Sequence, residues 1–548
     1  MESKFIVGQN LKFDLQFLYN YGIIPLRVYD TMIVEQLLYL GFPHTTVSEE
    51  EYHKYYDFPY HYDDTSRTMS ISFALDAIAK KRLNKHIDKT VRGEIIWRGL
   101  DTKVILYAAG DVTHLEDIMQ SQINDLKKQD LFKAAKIECD FVPVIAYLEW
   151  CGIHLDEEKW RKKMLNDKEC LENASKELNK FVVNTPTLSK FTYIDKQGDL
   201  FSGFNTEPQV NINWSSSRQV IEVAKILGFN TQIKDKKTGE DKDSVLEKHL
   251  AKQKGVNDEF LKLYFNYQEY SKVVSSFGQG HLNAVNPKTN RIHTIYKQLG
   301  AASGRMSCGS QQSNNDLAKY KKLKPQDCKY PNMQQLPADD QTRGSFTAPE
   351  GYEWCSCDFS ALESRLGADI YNEKHMIDEF LYGSGDIHSL MALTFFEDLM
   401  EEGTTTKDVK KKYPDLRKKA KSPEFLIQFG GSAFGLATQL AISEEEAQKY
   451  VNSYYNKFKG IADFKKKGSE FVRKNGYVLM CKYTGHKMYW WDHKEWVERQ
   501  KSFTPEFWDN YKLYHKGTGD TIAQEVSMHF KAASKWDRMA LNAPTQGK

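Results

Sequence analysis

Long hydrophobic runs are missing from this chain. No stretch approaches the roughly 20 apolar residues that a membrane helix needs. The opening Met1-Glu-Ser-Lys-Phe5 has no signal-peptide pattern. Cysteine is sparse: eight residues, with no pairs at metal-binding spacing, which excludes a zinc-finger framework and suggests reduced thiols in a cytoplasm. Cys355-Ser-Cys357 is too tight for a zinc pair and reads better as alternate positions of a strand. An excess of either charge is also lacking. With 76 Lys and Arg against 74 Asp and Glu the net charge is +2, so a nucleic-acid function cannot be argued from overall charge. There is no internal repeat and no low-complexity tract. What remains is 40% apolar and 27% charged in 548 residues, enough for three or four globular domains.

The cations are clustered, at Lys410-Lys411-Lys412, Arg417-Lys418-Lys419, Lys465-Lys466-Lys467 and Lys319 to Lys324. Such local stripes on a near-neutral protein would suit a duplex groove. Residues 1–129 alternate strand and helix signals: Phe5-Ile-Val-Gly8 as a strand, Leu11 to Tyr21 and Ile71 to Arg82 as helices, and a Tyr- and His-rich inserted loop from His44 to Tyr62. Residues 130–290 are mainly helical. Glu157 to Val182 forms one long amphipathic helix, with loops around Asp195 to Gln209 and Lys234 to Asp243. Strands and turns mix over 291–383, helices return over 384–510, and 511–548 ends the chain.

Arg417, Lys421, Phe425 and Phe429 step by four and are followed by Gly430-Gly431. Steps of four keep side chains on one helical face, so this face presents two cations and then two flat rings. That order suits a nucleoside triphosphate, phosphates on the cations, base and sugar against the rings. Pro414-Asp415 predicts the helix start and the Gly pair its stop. Pro423 inside it predicts a bend. Some sixty residues earlier, Trp354 to Arg365 carries Asp358 at the end of a strand-like run that leads into a helix.

Together these segments resemble the family A DNA polymerases, the group of bacterial DNA polymerase I and many phage replicases. Asp358-Phe-Ser-Ala-Leu-Glu-Ser-Arg365 looks like the family's motif A, and Arg417 to Gly430 like its motif B. Asn286 to His293, Ala302 to Ser307, Pro331-Asn-Met-Gln-Gln-Leu-Pro337, Asp386-Ile-His388 and Asn542 to Gly547 match further landmarks in order. Gly8 to Asp14 and Tyr107 to Asp111 resemble the second and third motifs of its 3′–5′ proofreading exonuclease. The resemblance implies an α+β multidomain chain of the phage type. A partial RNase H-like 3′–5′ exonuclease domain (1–129) would be followed by a right-hand polymerase: a helical thumb region (130–290), first part of the palm (291–383), fingers (384–510) and the start of the palm return (511–548). The Lys-rich stretch from Gln311 to Tyr330 interrupts the usual spacing and is read as an inserted, solvated loop.

The resemblance also implies roles. Asp358 would hold divalent metal, with Phe359 lending its carbonyl; two Mg²⁺ ions are expected in a complete site. His388, Arg417 and Lys421 would bind the triphosphate, Lys421 also as general acid toward pyrophosphate. Phe425 and Phe429 would face the nucleotide. Glu363 would exclude a ribose 2′-hydroxyl, making the substrate a dNTP. Phe429 replaces a frequent Tyr, which implies looser ribose discrimination, and Phe425 implies poor use of dideoxynucleotides. Arg305, Asn332, Gln334, Arg538, Asn542 and Gln546 would contact primer-template or orient the nucleotide, although Pro544 argues against a regular helix there. Asp14 and Asp111 would be exonuclease metal ligands, with Tyr107 orienting water.

The family's first exonuclease motif and its motif C, which supplies the second catalytic carboxylate, have no match. The expectation is therefore a DNA-directed DNA polymerase truncated at both ends, cytoplasmic in a bacterial or phage-infected cell, with a second polypeptide as one source of the missing parts. A non-catalytic DNA-binding subunit and a single-subunit RNA polymerase are the alternatives.

Overall fold

The computed structural model describes residues 4–42, 46–87, 90–194, 208–234, 241–253, 255–440, 442–514 and 521–546. They form two compact units. One comprises residues 1–151, 296–307 and 356–548; the other, 152–295 and 308–355. Helices dominate, and no sheet among the described residues exceeds three strands.

In the first unit β1 (Phe5–Gly8) pairs in parallel with β2 (Arg27–Asp30), the two joined through α1 (Leu11–Tyr19). Apolar residues at i and i+4 fix the buried face of α1: Leu11, Leu15 and Tyr19 pack with Val28, Ile33, Val142 and Ala146. One carboxylate anchors this start. Asp30 accepts from the amides of Asn10 (3.0 Å), Leu11 (2.7 Å), Met32 (2.9 Å) and Ile33 (3.3 Å), so it caps both α1 and α2 (Thr31–Leu38). The helices α3 (Thr102–Thr113) and α4 (Leu115–Lys128) follow, and then α5 (Phe132–Cys151).

The expected loop from His44 to Tyr62 is structured over its described part; His44 itself lies outside the described residues. Thr46–Ser48, Tyr60–Asp63 and Thr68–Ile71 form a three-stranded antiparallel sheet, and Glu49–Tyr55 is a helix opened by a Ser48–Glu51 capping box. The helix expected from Ile71 begins at Leu75 instead, because Ile71 is used as a strand end.

The second unit is built on α6 (Glu157–Asn184), which packs on α7 (Asp258–Ser276). Asp156 caps α6 by accepting from the Lys159 amide at 3.0 Å. Glu157 and Glu158 sit favourably at its positive end. Leu178, Phe181 and Val182 meet Phe260 and Tyr264 in the core, each fully buried large side chain contributing about 1.5–3 kcal/mol. The expected loop from Lys234 to Asp243 is flanked by an antiparallel pair, Gln232–Lys234 with Asp241–Asp243. Of the loop expected from Asp195 to Gln209, residues 195–207 lie outside the described residues. Gln209–Val210 is a short strand on Thr192–Tyr193. The inserted stretch is folded as well: β3 (Ser310–Ser313), α8 (Asn315–Tyr320) and β4 (Lys329–Tyr330), with β3 antiparallel to β4.

Residues 352–359, with which the chain passes from the second unit to the first, form no strand. No described segment pairs with them, and an extended chain without a ladder partner has no reason to stay regular. α9 (Leu362–Ile370), α10 (Ile387–Phe396), α11 (Pro414–Gln428), α12 (Glu444–Lys457) and α13 (Lys459–Asn475) follow. Their core joins Met391, Ala420, Ile427, Leu436, Tyr454, Phe458, Ile461 and Leu541. A hairpin of β5 (Tyr477–Leu479) and β6 (Lys487–Tyr489) precedes α14 (Thr521–Gln546). Helical assignment continues through both Pro423 and Pro544.

Candidate active site

Four helices of the first unit carry the site. α11 has the spacing that places Arg417, Lys421, Phe425 and Phe429 on one side, and the Phe425 and Phe429 rings stack at 6.1 Å and 24°. The helix ends as its sequence predicts. Gly430 takes the left-handed conformation (φ +77°), and the amides of Gly430 and Gly431 return to the carbonyls of Ile427 (2.9 Å) and Leu426 (2.7 Å). A Cβ on Gly430 would lie 3.2 Å from Cγ of Arg538, so α14 approaches this end closely.

α10 packs along α11 and delivers two acid–base pairs. The Arg417 guanidinium grips Asp386 in a two-point fork, Nε to Oδ2 at 2.6 Å and Nη2 to Oδ1 at 2.9 Å. Burial pushes the Asp386 carboxyl up, but the bonds from Arg417 and from Ser389 outweigh it and hold the group below the ordinary range. His388 Nδ1 bonds to Oε2 of Glu424, and its ring meets the Phe425 ring edge-on at 5.8 Å. Glu424 is fully buried, its other oxygen has no partner among the described residues, and burial raises its pKa despite His388. Lys421 is exposed and makes no ion pair among the described residues.

Asp386 and Glu424 were not assigned from the sequence. The signal for Glu424 was present: it falls in the buried stripe of α11 with Ala420 and Ile427, and a carboxylate in an apolar stripe needs a partner.

A pH consequence follows for the Arg417–Asp386 pair. The carboxyl is depressed in the folded protein, so the unfolded chain takes up the proton first as pH falls. The pair's contribution, about 1–2 kcal/mol for a partly buried charged fork, is present in full above about pH 4 and drains away below it. Asp386→Asn is therefore expected to lower stability at neutral pH and to flatten the acid limb of a urea-denaturation series relative to wild type. Parallel acid limbs would refute this.

α9 brings in the turn that carries Asp358. Asp358 and Phe359 are exposed, and Ala361 opens α9 with a left-handed backbone (φ +49°). This conformation costs an L-residue about 1–2 kcal/mol. Glu363, in the first turn of α9, forms an ion pair with Arg305. One turn later, a Cβ on Gly367 would be 3.0 Å from Nε2 of the buried Gln428. Tyr371 donates to the Leu541 carbonyl at 2.7 Å. Thus the helix bearing Glu363, the Phe429 end of α11 and α14 converge. Arg538 and Asn542 stand one turn apart on α14; the Gln546 side chain lies outside the described residues.

Other expected residues stand elsewhere. Asn332 and Gln334 belong to the second unit, where the Asn332 carboxamide accepts from the Gln334 amide at 2.9 Å. Asp14 is exposed on α1. Tyr107 and Asp111 lie one turn apart on α3, and one Asp111 oxygen is buried without a partner among the described residues. Among the described residues no three His, Cys, Asp or Glu side chains gather closely enough to hold a metal ion. A single carboxylate such as Asp358 does not balance two dications. The described donor set therefore does not fit the metal pair by itself. No described helix is long and apolar enough to cross a membrane.

The sequence pattern of DNA polymerase family A matches residues 202–315 and 326–548. DNA polymerase I of Borreliella burgdorferi is 25% identical over 478 residues, covering 86% of this chain and 43% of that protein. The Aquifex aeolicus enzyme of the same name is 26% identical over 501 residues, covering 86% of this chain and 70% of that one. That of Caldicellulosiruptor bescii is 31% identical over 248 residues, covering 45% and 26%. The chain thus spans less than half the length of two of these three relatives. All three are bacterial, so the expected phage affiliation has no counterpart among them. In fold, the chain is similar to the POL domain of Pol1 from M. smegmatis in complex with DNA primer-template and dNTP. That likeness has TM-score 0.62 and 21% identity, over 99% of this chain and 73% of that one. Because the family pattern runs through the turn of Asp358 and the whole of α11, and over more than half of the sequence, this chain belongs to DNA polymerase family A.

Proposed function

We propose that the chain performs template-directed DNA synthesis, transferring a deoxynucleotide to a primer 3′-hydroxyl. The observation that carries this reading is the meeting of α11, with its cation-then-ring face, and the α9 helix of Glu363 within one unit. In this reading Arg417, His388 and Lys421 receive the triphosphate, and Phe425 and Phe429 bear on the base and sugar. Lys421 also gives a proton to the departing pyrophosphate in this reading. Arg305, Asn332, Gln334, Arg538, Asn542 and Gln546 address the primer-template. Asp358 holds Mg²⁺, with the Phe359 carbonyl beside it. The carboxylate that completes the metal pair belongs, on this reading, to a segment outside the described residues, of this polypeptide or a second one. Residues 1–129 are assigned to a 3′–5′ exonuclease-like domain using Asp14, Tyr107 and Asp111, 130–290 to the thumb region, 291–383 and 511–548 to the palm, and 384–510 to the fingers. A bacterial cytoplasm is the setting this chemistry calls for.

Extension of a primed template with dNTPs tests the reading, and preference for rNTPs would replace it with an RNA polymerase. The lone Asp358 favours one second reading, a DNA-binding subunit without synthesis of its own. Tight binding of primed DNA with no extension under any metal condition would establish that reading. Glu363 supplies a further prediction. Replacing it by Ala removes the carboxylate that leaves no room for a 2′-hydroxyl, so rNTP incorporation should rise about 10²-fold relative to dNTP, on the scale of about 1–3 kcal/mol for steric selection. Competition assays with matched dNTP and rNTP measure the ratio. Since Glu363 also pairs with Arg305, Glu363→Gln should show a smaller rise.

A further inference from the structure

Residues 316–325 are where this chain departs from its family, whose pattern breaks off at 315 and resumes at 326. What fills the gap is a built arm. Asn314 caps α8 by accepting from the Leu317 amide at 3.1 Å. Ala318 and Cys328 are buried beneath the arm. The Lys321 ammonium is spent inward, donating to the carbonyls of Leu282 (2.8 Å) and Val285 (3.1 Å). Asn283 donates from Nδ2 to the Asp327 carbonyl at 2.8 Å. Beside these anchors, Lys319, Tyr320, Lys322 and Lys324 are all exposed. None of these three lysines has an ion-pair partner among the described residues, whereas many other lysines of the chain do, such as Lys136 with Asp140 and Lys225 with Asp243. Tyr320 is 58% exposed, with the Lys288 ammonium 5.7 Å from its ring. The root of the arm touches Asn332: a Cβ on Gly309 would meet its Cα at 3.0 Å.

A folded arm with three exposed lysines outside any described ion pair and an exposed ring, rooted beside Asn332, has the chemistry to hold a sugar–phosphate backbone. We propose that this inserted arm is an additional grip on primer-template DNA, with Lys319, Lys322 and Lys324 on neighbouring phosphates and Tyr320 against the sugars. The proposal rests on the polymerase reading above, because that reading puts DNA at Asn332 and Gln334.

The test is fluorescence-anisotropy titration of a labelled primed duplex at several salt concentrations, with the full chain and with Lys319→Ala/Lys322→Ala/Lys324→Ala. The substituted residues are exposed, so thermal melting should not shift. Each phosphate contact contributes about 0.9 to the log–log salt slope. The variant's slope should therefore be shallower by about 2 to 3, and its affinity about tenfold or more weaker at roughly 0.1 M salt. Tyr320→Ala should weaken binding with the slope kept. An unchanged slope in the triple variant overturns the arm's role even where the wild-type chain extends primers. A wild-type chain that binds with a steep slope lost in the variant, yet never extends a primer, overturns the polymerase reading and leaves the arm.

Discussion

Asp358→Asn is expected to abolish primer extension, with a loss of at least about 10³-fold in single-turnover rate, while primer-template affinity stays within about twofold. A carboxylate that holds a catalytic dication contributes several kcal/mol to the transition state, and about 4 kcal/mol corresponds to three orders of magnitude in rate. Asn keeps the shape and removes the charge. Because Asp358 is exposed and ends no ordered strand, the fold has little invested in it, so melting should be unchanged. A variant that retained a tenth of the wild-type rate would remove Asp358 from the chemistry. Loss of rate together with loss of folding would leave the fold as the cause; Asp358→Glu separates the cases by keeping the charge at a shifted position.

The second large effect is expected at Lys421. Lys421→Ala should lower kcat by about 10²–10⁴-fold, the usual worth of a positioned acid, with no loss of stability, since its ammonium has no ion pair among the described residues. Arg417→Ala should behave differently. Arg417 is engaged with Asp386, so its removal should raise KM for the dNTP and also strand a partly buried carboxylate, costing about 1–3 kcal/mol of stability. Adding Asp386→Ala should restore much of that stability but none of the nucleotide affinity. Pre-steady-state kinetics with denaturation midpoints for the three variants separates the two roles. Equal stability losses for Lys421→Ala and Arg417→Ala would contradict the assignment.

Much of α11 was legible because its information is local: four side chains in steps of four, Pro at the start and a Gly pair at the end. The same holds for Phe5–Gly8 and for the long helix from Glu157. A local signal also exists inside the expected loop from His44 to Tyr62. Ser48-Glu49-Glu50-Glu51 spells the capping box that opens a helix in the supposed loop. The three short strands around it depend on partners up to 24 residues away, which no window of the sequence displays. The strand expected before Asp358 erred the other way. Its composition favours extension, but a strand exists only with a neighbour, and no described segment pairs with it. The clamp on Arg417 and the burial of Glu424 come from α10 meeting α11, a tertiary event that only hints at itself as an acid in an apolar stripe.

The pairing of Arg417 with Asp386 and of His388 with Glu424 has a consequence for which anions can compete. The Arg417 guanidinium and the His388 ring each already have an acidic side chain at high effective concentration on the same polypeptide. A ligand must therefore win an exchange rather than fill an open seat. Sulfate or inorganic phosphate, trading one oxyanion for another, gains little. A triphosphate that reaches the unpaired Lys421 in the same event gains a contact with no internal rival. On the proposed reading, the two acids make the site indifferent to simple salts and responsive to chain length in the polyphosphate.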